Sequence, residues 1–159
     1  MLDIKKVFSY DQNTEDQSTG EITQPEVDFS LPPEELLSLA DSLQDKADRM
    51  PESYCLSDSE KLFDPILKIR EKYLGENHPD TAVTYFSLGR LSNRKGMFKD
   101  SIDYYKKAIK INEEAFGKIN IENREIYNYL ETAYSNIGDE ENLRIVNQIL
   151  DTLKNELDL

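Results

Sequence analysis

Residues 68–82 read Lys68-Ile69-Arg70-Glu71-Lys72-Tyr73-Leu74-Gly75-Glu76-Asn77-His78-Pro79-Asp80-Thr81-Ala82, the end of one helix, a turn and the start of the next. Pro79 suits the first helical position, where a missing N–H costs nothing and the fixed φ is already helical. Asp80 favours the positive end of the helix dipole. Parts of this stretch and its surroundings recur 42 residues later. Lys68-Ile69 with Glu71 returns as Lys110-Ile111 with Glu113, Leu74-Gly75 as Phe116-Gly117, and Gly96 as Gly138. Tyr85 and Leu88 return as Tyr127 and Leu130, and Asp58-Ser59 as Asp100-Ser101. A fixed period between roughly 20 and 50 residues marks stacked supersecondary units, which offer a binding surface rather than a reaction centre.

Helical periodicity extends outward from the junction on both sides. Upstream, Pro32-Pro33 opens a helix carrying Leu36, Leu37, Leu39, Ala40, Leu43, Ala47 and Met50, and Met50-Pro51 ends it. The next runs from about Ser57 to Tyr73 with Leu62, Phe63, Ile66, Leu67 and Ile69 on its apolar side. Pro65 lies inside it, which predicts a kink or a late start. Downstream, Ala82, Tyr85, Phe86, Leu88 and Leu91 mark a helix that stops near Lys95-Gly96. Ile102, Tyr105, Ala108, Ile109 and Ile111 mark one from Phe98 to Phe116, ended by Gly117. Ile126, Tyr127, Leu130, Ala133 and Tyr134, then the Gly138-Asp139 turn, then Leu143, Val146, Ile149, Leu150, Leu153 and Leu157 complete a third pair. The polar residues of the last helix suit a terminal unit with a solvated outer face. The expected architecture is all-α, three antiparallel helix pairs over 33–159 (units of about 33–74, 75–116 and 117–158), preceded by a tail over 1–32.

That tail carries seven acids and two bases, and Asp11 to Gly20 contains no apolar residue. Such a segment cannot offset its ordering entropy by burial, so it is expected to be disordered in isolation. Its two apolar clusters, Leu2 to Tyr10 and Ile22 to Leu31, read either as a short docking segment or as scattered residues. The whole chain has a formal charge of -13 over 159 residues. That argues against nucleic acid, which needs a basic face to displace counterions. The charge is uneven: residues 75–116 net +1, whereas 33–74 net -4 and 117–159 net -5. The middle unit is therefore expected to attract the acidic tail or an acidic partner segment. That expectation fails if deleting residues 1–30 leaves partner affinity and its salt dependence unchanged.

Tyr85, Leu88-Gly89, Ser101, Tyr105 and Ala108 fall at the spacings of the tetratricopeptide signature, and residues 68–82 resemble the junction between 42-residue repeats of the kinesin-light-chain type. The resemblance is clearest over 57–117. It implies a short right-handed solenoid whose concave groove is lined by the first helix of each pair. In that register the groove presents Phe86, Arg90, Asn93 and Arg94 from the middle unit and Asn128, Thr132 and Ser135 from the last. Arg90 and Arg94 would read a carboxylate and Asn128 a peptide backbone. The sequence departs from the pattern at both ends. Lys46 stands where the middle unit has Leu88, Tyr54 where it has Gly96, Glu131 where it has Gly89, and Asn147 where it has Tyr105. Repeats of this type often carry asparagine at the groove position of Phe86 and Asn128, and only Asn128 keeps it. The lysine–asparagine carboxylate clamp that binds heat-shock-protein C-termini is not reproduced.

No chemistry-bearing constellation competes with this reading. His78, the only histidine, has no clustered partner for acid–base or metal work and falls at the repeat junction. Cys55, the only cysteine, excludes an internal disulfide and suits a reducing compartment. There is no phosphate loop, dinucleotide fingerprint or calcium loop, no apolar run of about 18 residues, and no signal or transit character at the start. The expectation is a cytoplasmic, non-catalytic adaptor without cofactor or metal, binding a protein or peptide partner, with self-association left open. The alternatives are a structural subunit of a larger assembly and, less favoured by the 42-residue period, a small secretion-type chaperone.

Overall fold

The computed structural model describes residues 27–49 and 56–157, the first four of the latter range by backbone alone. Six helices occur among them: α1 (Pro33–Asp48), α2 (Leu56–Tyr73), α3 (Pro79–Arg94), α4 (Phe98–Phe116), α5 (Glu122–Ile137) and α6 (Glu140–Glu156). The fold is all-α with three helix pairs, as the periodicity predicts. The expectations placed on residues 1–26, Met50-Pro51, Tyr54 and Cys55 lie outside the described residues. The chain divides into two compact units, Met1–Glu76 and Asn77–Leu159.

In the first unit α1 packs on α2. Leu36, Leu39, Ala40, Leu43 and Ala47 are buried on one side of the pair, and Leu62, Phe63, Ile66 and Ile69 on the other. Arg70 is buried with them and ties the helices together. Its guanidinium donates to Asp41 Oδ1 at 2.8 Å and to Gln44 Oε1 at 3.2 Å. Just ahead of α1, the Phe29 ring lies 6.4 Å from that of Tyr73, with the Lys72 ammonium 4.0 Å above the Phe29 ring. The late start expected at Pro65 does not occur, because α2 begins at Leu56 and runs through it. Pro65 is fully buried, so its ring contributes apolar contact where its missing N–H weakens the ladder.

In the second unit α4 packs extensively against both α3 and α5, α5 against α6, while α3 and α5 meet at only a few points. His78 caps α3: its Nδ1 accepts the Asp80 backbone N–H at 3.2 Å. The same Nδ1 lies 3.5 Å from Asp80 Oδ2. Gly96, at φ 74°, ends α3; its N–H reaches Asn93 O and that of Met97 reaches Ser92 O, the bonding of a left-handed cap. Asn120 caps α5, accepting the Asn123 backbone N–H at 3.0 Å. Asn123 itself is buried, accepts from Asn112 at 3.0 Å and donates to Ile109 O at 3.4 Å. These bonds satisfy polar groups at the α4–α5 seam that would otherwise be costly there. Asp139 caps α6 through the backbone and side-chain N–H groups of Asn142.

Helices α3 and α4 approach closely at Gly89. A Cβ there would stand 2.5 Å from Cδ1 of Tyr105 and nearer still to Cε1. Tyr105 is completely buried, and its hydroxyl has no hydrogen-bond partner among the described residues. In an open helix Gly→Ala gains about 0.5–1 kcal/mol, but overpacking a core costs about 1–3 kcal/mol. Gly89→Ala is therefore expected to lower the urea-unfolding free energy, and adding Tyr105→Leu to recover part of the loss. Tyr105→Phe alone is expected to raise stability by about 1 kcal/mol, because it removes an unpaired buried hydroxyl. A loss of similar size would show that the hydroxyl is bonded.

Candidate functional site

The residues predicted for the groove all lie in the second unit, on α3 and α5. Phe86 is half-buried, its ring 6.0 Å from Tyr105 and 5.5 Å edge-on from Tyr129. Tyr105 and Tyr129 are 5.8 Å apart, so the three rings close a triangle at aromatic contact distance. The Arg90 guanidinium lies 5.7 Å from the Phe86 ring centre and 5.9 Å from that of Tyr129, near enough for cation–π attraction. Asn93 is half-buried, and its Oδ1 has no partner among the described residues. Arg94, Asn128, Thr132 and Ser135 are exposed. Thr132 Oγ1 donates to Asn128 O at 3.1 Å, a bond internal to α5. The structure thus gathers Phe86 and Arg90 into one cluster and leaves the α5 residues as solvated positions of the same unit.

Tyr129 is the member the periodicity missed. It occupies the position of Ser87 one repeat earlier, so the 42-residue comparison gives it no weight. Its spacing of three from Ile126 and four from Ala133 is the signal that places it at the edge of the buried stripe.

A cleft of about 400 Å³ opens beside Phe86 at the N-terminal ends of α3 and α5 and the C-terminal end of α4. Its apolar lining includes Ala82, Val83, Phe86, Phe116 and Ile126, and Asp80, Glu122 and Glu125 are its acidic members. Val83 is 47% and Phe116 51% exposed. None of these residues except Phe86 was singled out for the groove. First-turn acids read as partners of the helix dipole, and Phe116 as the last apolar residue before a glycine stop.

A second cleft, of about 290 Å³, lies between α4, α5 and α6 and is lined by Ile109, Tyr127, Leu130, Tyr134, Ile145 and Ile149, with Lys106 and Lys110 beside them. Only Val146 and Leu153 of α6 are buried, and Ile145 is 47% exposed. Among the described residues no group of three or more His, Cys, Asp and Glu side chains is placed to hold a metal ion. No described helix is long and apolar enough to cross a membrane.

Residues 55–114 match the tetratricopeptide repeat family model, overlapping the stretch where the signature is clearest. The crystal structure of the TPR domain of Arabidopsis FLU aligns with a TM-score of 0.61 over 80% of this chain and 98% of that one, at 17% identity. At that identity the likeness is one of fold. No curated protein matches the sequence.

Two buried phenols give the second unit a defined response to alkali. Burial, then the charge of Glu113 and its hydrogen bond from the Tyr127 hydroxyl at 3.3 Å, push Tyr127 up to about 12. Burial raises Tyr105 as well. In the unfolded chain both ionise near about 10. The stability they contribute is complete below that pH and is lost as the pH rises through the folded value, about 12 for Tyr127. Urea midpoints are expected to fall between about pH 10 and 12, and to fall less steeply in Tyr127→Phe. An identical decline in the variant would assign the alkaline loss to other groups.

Proposed function

We propose that this chain is a non-catalytic, cytoplasmic protein-interaction module built from 42-residue tetratricopeptide repeats of the kinesin-light-chain kind, and that it holds a partner segment along the α3–α5 face. The observation that carries the reading is the apolar surface left uncovered there. Phe86 and the Arg90–Tyr129 contact sit half-open beside a cleft whose walls include the half-exposed Val83 and Phe116. Interface hot spots are enriched in aromatic and arginine side chains. Arg94, Asn128, Thr132 and Ser135 continue the face with exposed polar groups suited to a peptide's backbone and charges.

A second reading, a structural subunit of a larger assembly, is favoured by α6. A neighbour would cover Ile145 and the cleft beneath it, as a further repeat would.

Affinity purification from native cells separates the two. In a folded Phe86→Ala/Arg90→Glu/Asn128→Ala variant, recovery of a true groove partner is expected to drop by about tenfold or more, the equivalent of about 1.4 kcal/mol. Undiminished recovery of the same stable partners would reject groove binding and favour the assembly subunit.

A further inference from the structure

The cleft at the head of α3 and α5 has a charge opposite to that of the arginines further along the same face. Asp80, Glu122 and Glu125 line it, and no lysine or arginine does. Part of that charge serves the helices themselves. Each helix N-terminus carries about half a positive charge, so two such ends offset only part of the charge of the three carboxylates. Glu122 and Glu125 are both exposed, three residues apart on α5, and neither has an ion-pair partner among the described residues. Like charges three residues apart on a helix repel, which a bound cation would relieve. Between the carboxylates are the apolar walls, Val83 and Phe116 about half exposed, around a volume within the roughly 300–1,000 Å³ typical of ligand clefts.

The opposite charge lies at the other end of α3. At a rise of about 1.5 Å per residue, Arg90 is about 15 Å and Arg94 about 21 Å along the helix from Asp80. Both separations exceed the Debye length of about 8 Å at physiological salt, so the two ends do not cancel each other through solvent. An extended peptide covers about 15 Å in four to five residues.

Resting on the reading of this face as a docking surface, we propose that the head cleft binds a cationic, apolar segment of a partner protein. Lysine or arginine flanks an apolar side chain that enters between Val83 and Phe116, and any acidic residue of the segment lies four to five positions away, toward Arg90. The polarity of the face sets the direction in which the segment lies. The chain's own acidic tail is the wrong occupant, since residues 1–32 carry seven acids against two bases.

The test uses the full chain, isotope-labelled for NMR, and two blocked peptides, acetyl-Gly-Lys-Phe-Lys-Gly-amide and acetyl-Gly-Glu-Phe-Glu-Gly-amide. The lysine peptide is expected to shift the backbone amides of Val83, Phe86, Phe116 and Glu125. Its binding should weaken about fivefold or more in Glu122→Gln/Glu125→Gln, and also on raising salt from about 50 to about 300 mM. The two glutamates are exposed, so amide dispersion of the variant should match the parent and separate lost binding from lost fold. Binding unchanged in the double variant, or no shift at the head cleft, overturns the proposal. If the glutamate peptide alone moves the Arg90 and Arg94 amides, the cationic-segment proposal fails while the docking face stands. If neither peptide moves any α3 or α5 amide, and the triple variant above keeps its partners, both fail.

Discussion

The ring of Tyr105 against the bare backbone of Gly89 is the contact on which the second unit depends. A helix can come this near to an aromatic ring only where it lacks a side chain. The approach sets how closely α3 and α4 lie, and it lets Tyr105 reach Phe86 and Tyr129 on the two first helices of their pairs. Because α3 and α5 otherwise touch at few points, α4 is the spacer that holds them side by side. The placement of the α3–α5 face is therefore a consequence of core packing: a large residue on the second helix fills a space that a glycine on the first leaves open. The unpartnered hydroxyl of Tyr105 fits this account, since the ring's shape is what the site requires.

Electrostatics then distributes chemistry over that face. Acids gather in the first turns, where Asp80, Glu122 and Glu125 meet the helix dipoles, and Arg94 sits in the last turn of α3. Each choice is favourable for the isolated helix. When α3 and α5 are set side by side, these local preferences sum to a face that is negative at its head and positive at its far end. No residue needs to depart from good helix chemistry to produce that polarity. The caps His78, Asn120 and Asp139 fix where the helices begin, and so where the charges stand.

Much of this was legible from spacing. The helix limits at Pro79, Phe98 and Phe116 follow from a proline, an apolar period and a glycine, all local signals. The resemblance to tetratricopeptide repeats, not spacing alone, is what placed Phe86 and Arg90 on one face of α3. Other features escaped for identifiable reasons. Tyr129 has no counterpart in the repeat comparison, Arg70 carries no sequence signal for its bonds to Asp41 and Gln44 across the pair, and Pro65 predicts a kink or a late start although α2 begins at Leu56 and runs through it. Glu122 and Glu125 are indistinguishable in sequence from ordinary first-turn acids.

The amino-acid sequence by itself determined that this is an all-α chain of paired helices, that α3 begins at Pro79 and α4 runs from Phe98 to Phe116, and which residues form the apolar stripes. These are properties of short segments, set by side-chain period and capping chemistry. Only the tertiary structure decided that Gly89 receives Tyr105, that Phe86, Tyr129 and Arg90 form one cluster, and that three acids from two helices surround a single apolar cleft. Those relations join residues up to 45 positions apart in the chain, from Asp80 to Glu125. They depend on the distance and rotation between helices, which packing sets and no local pattern records.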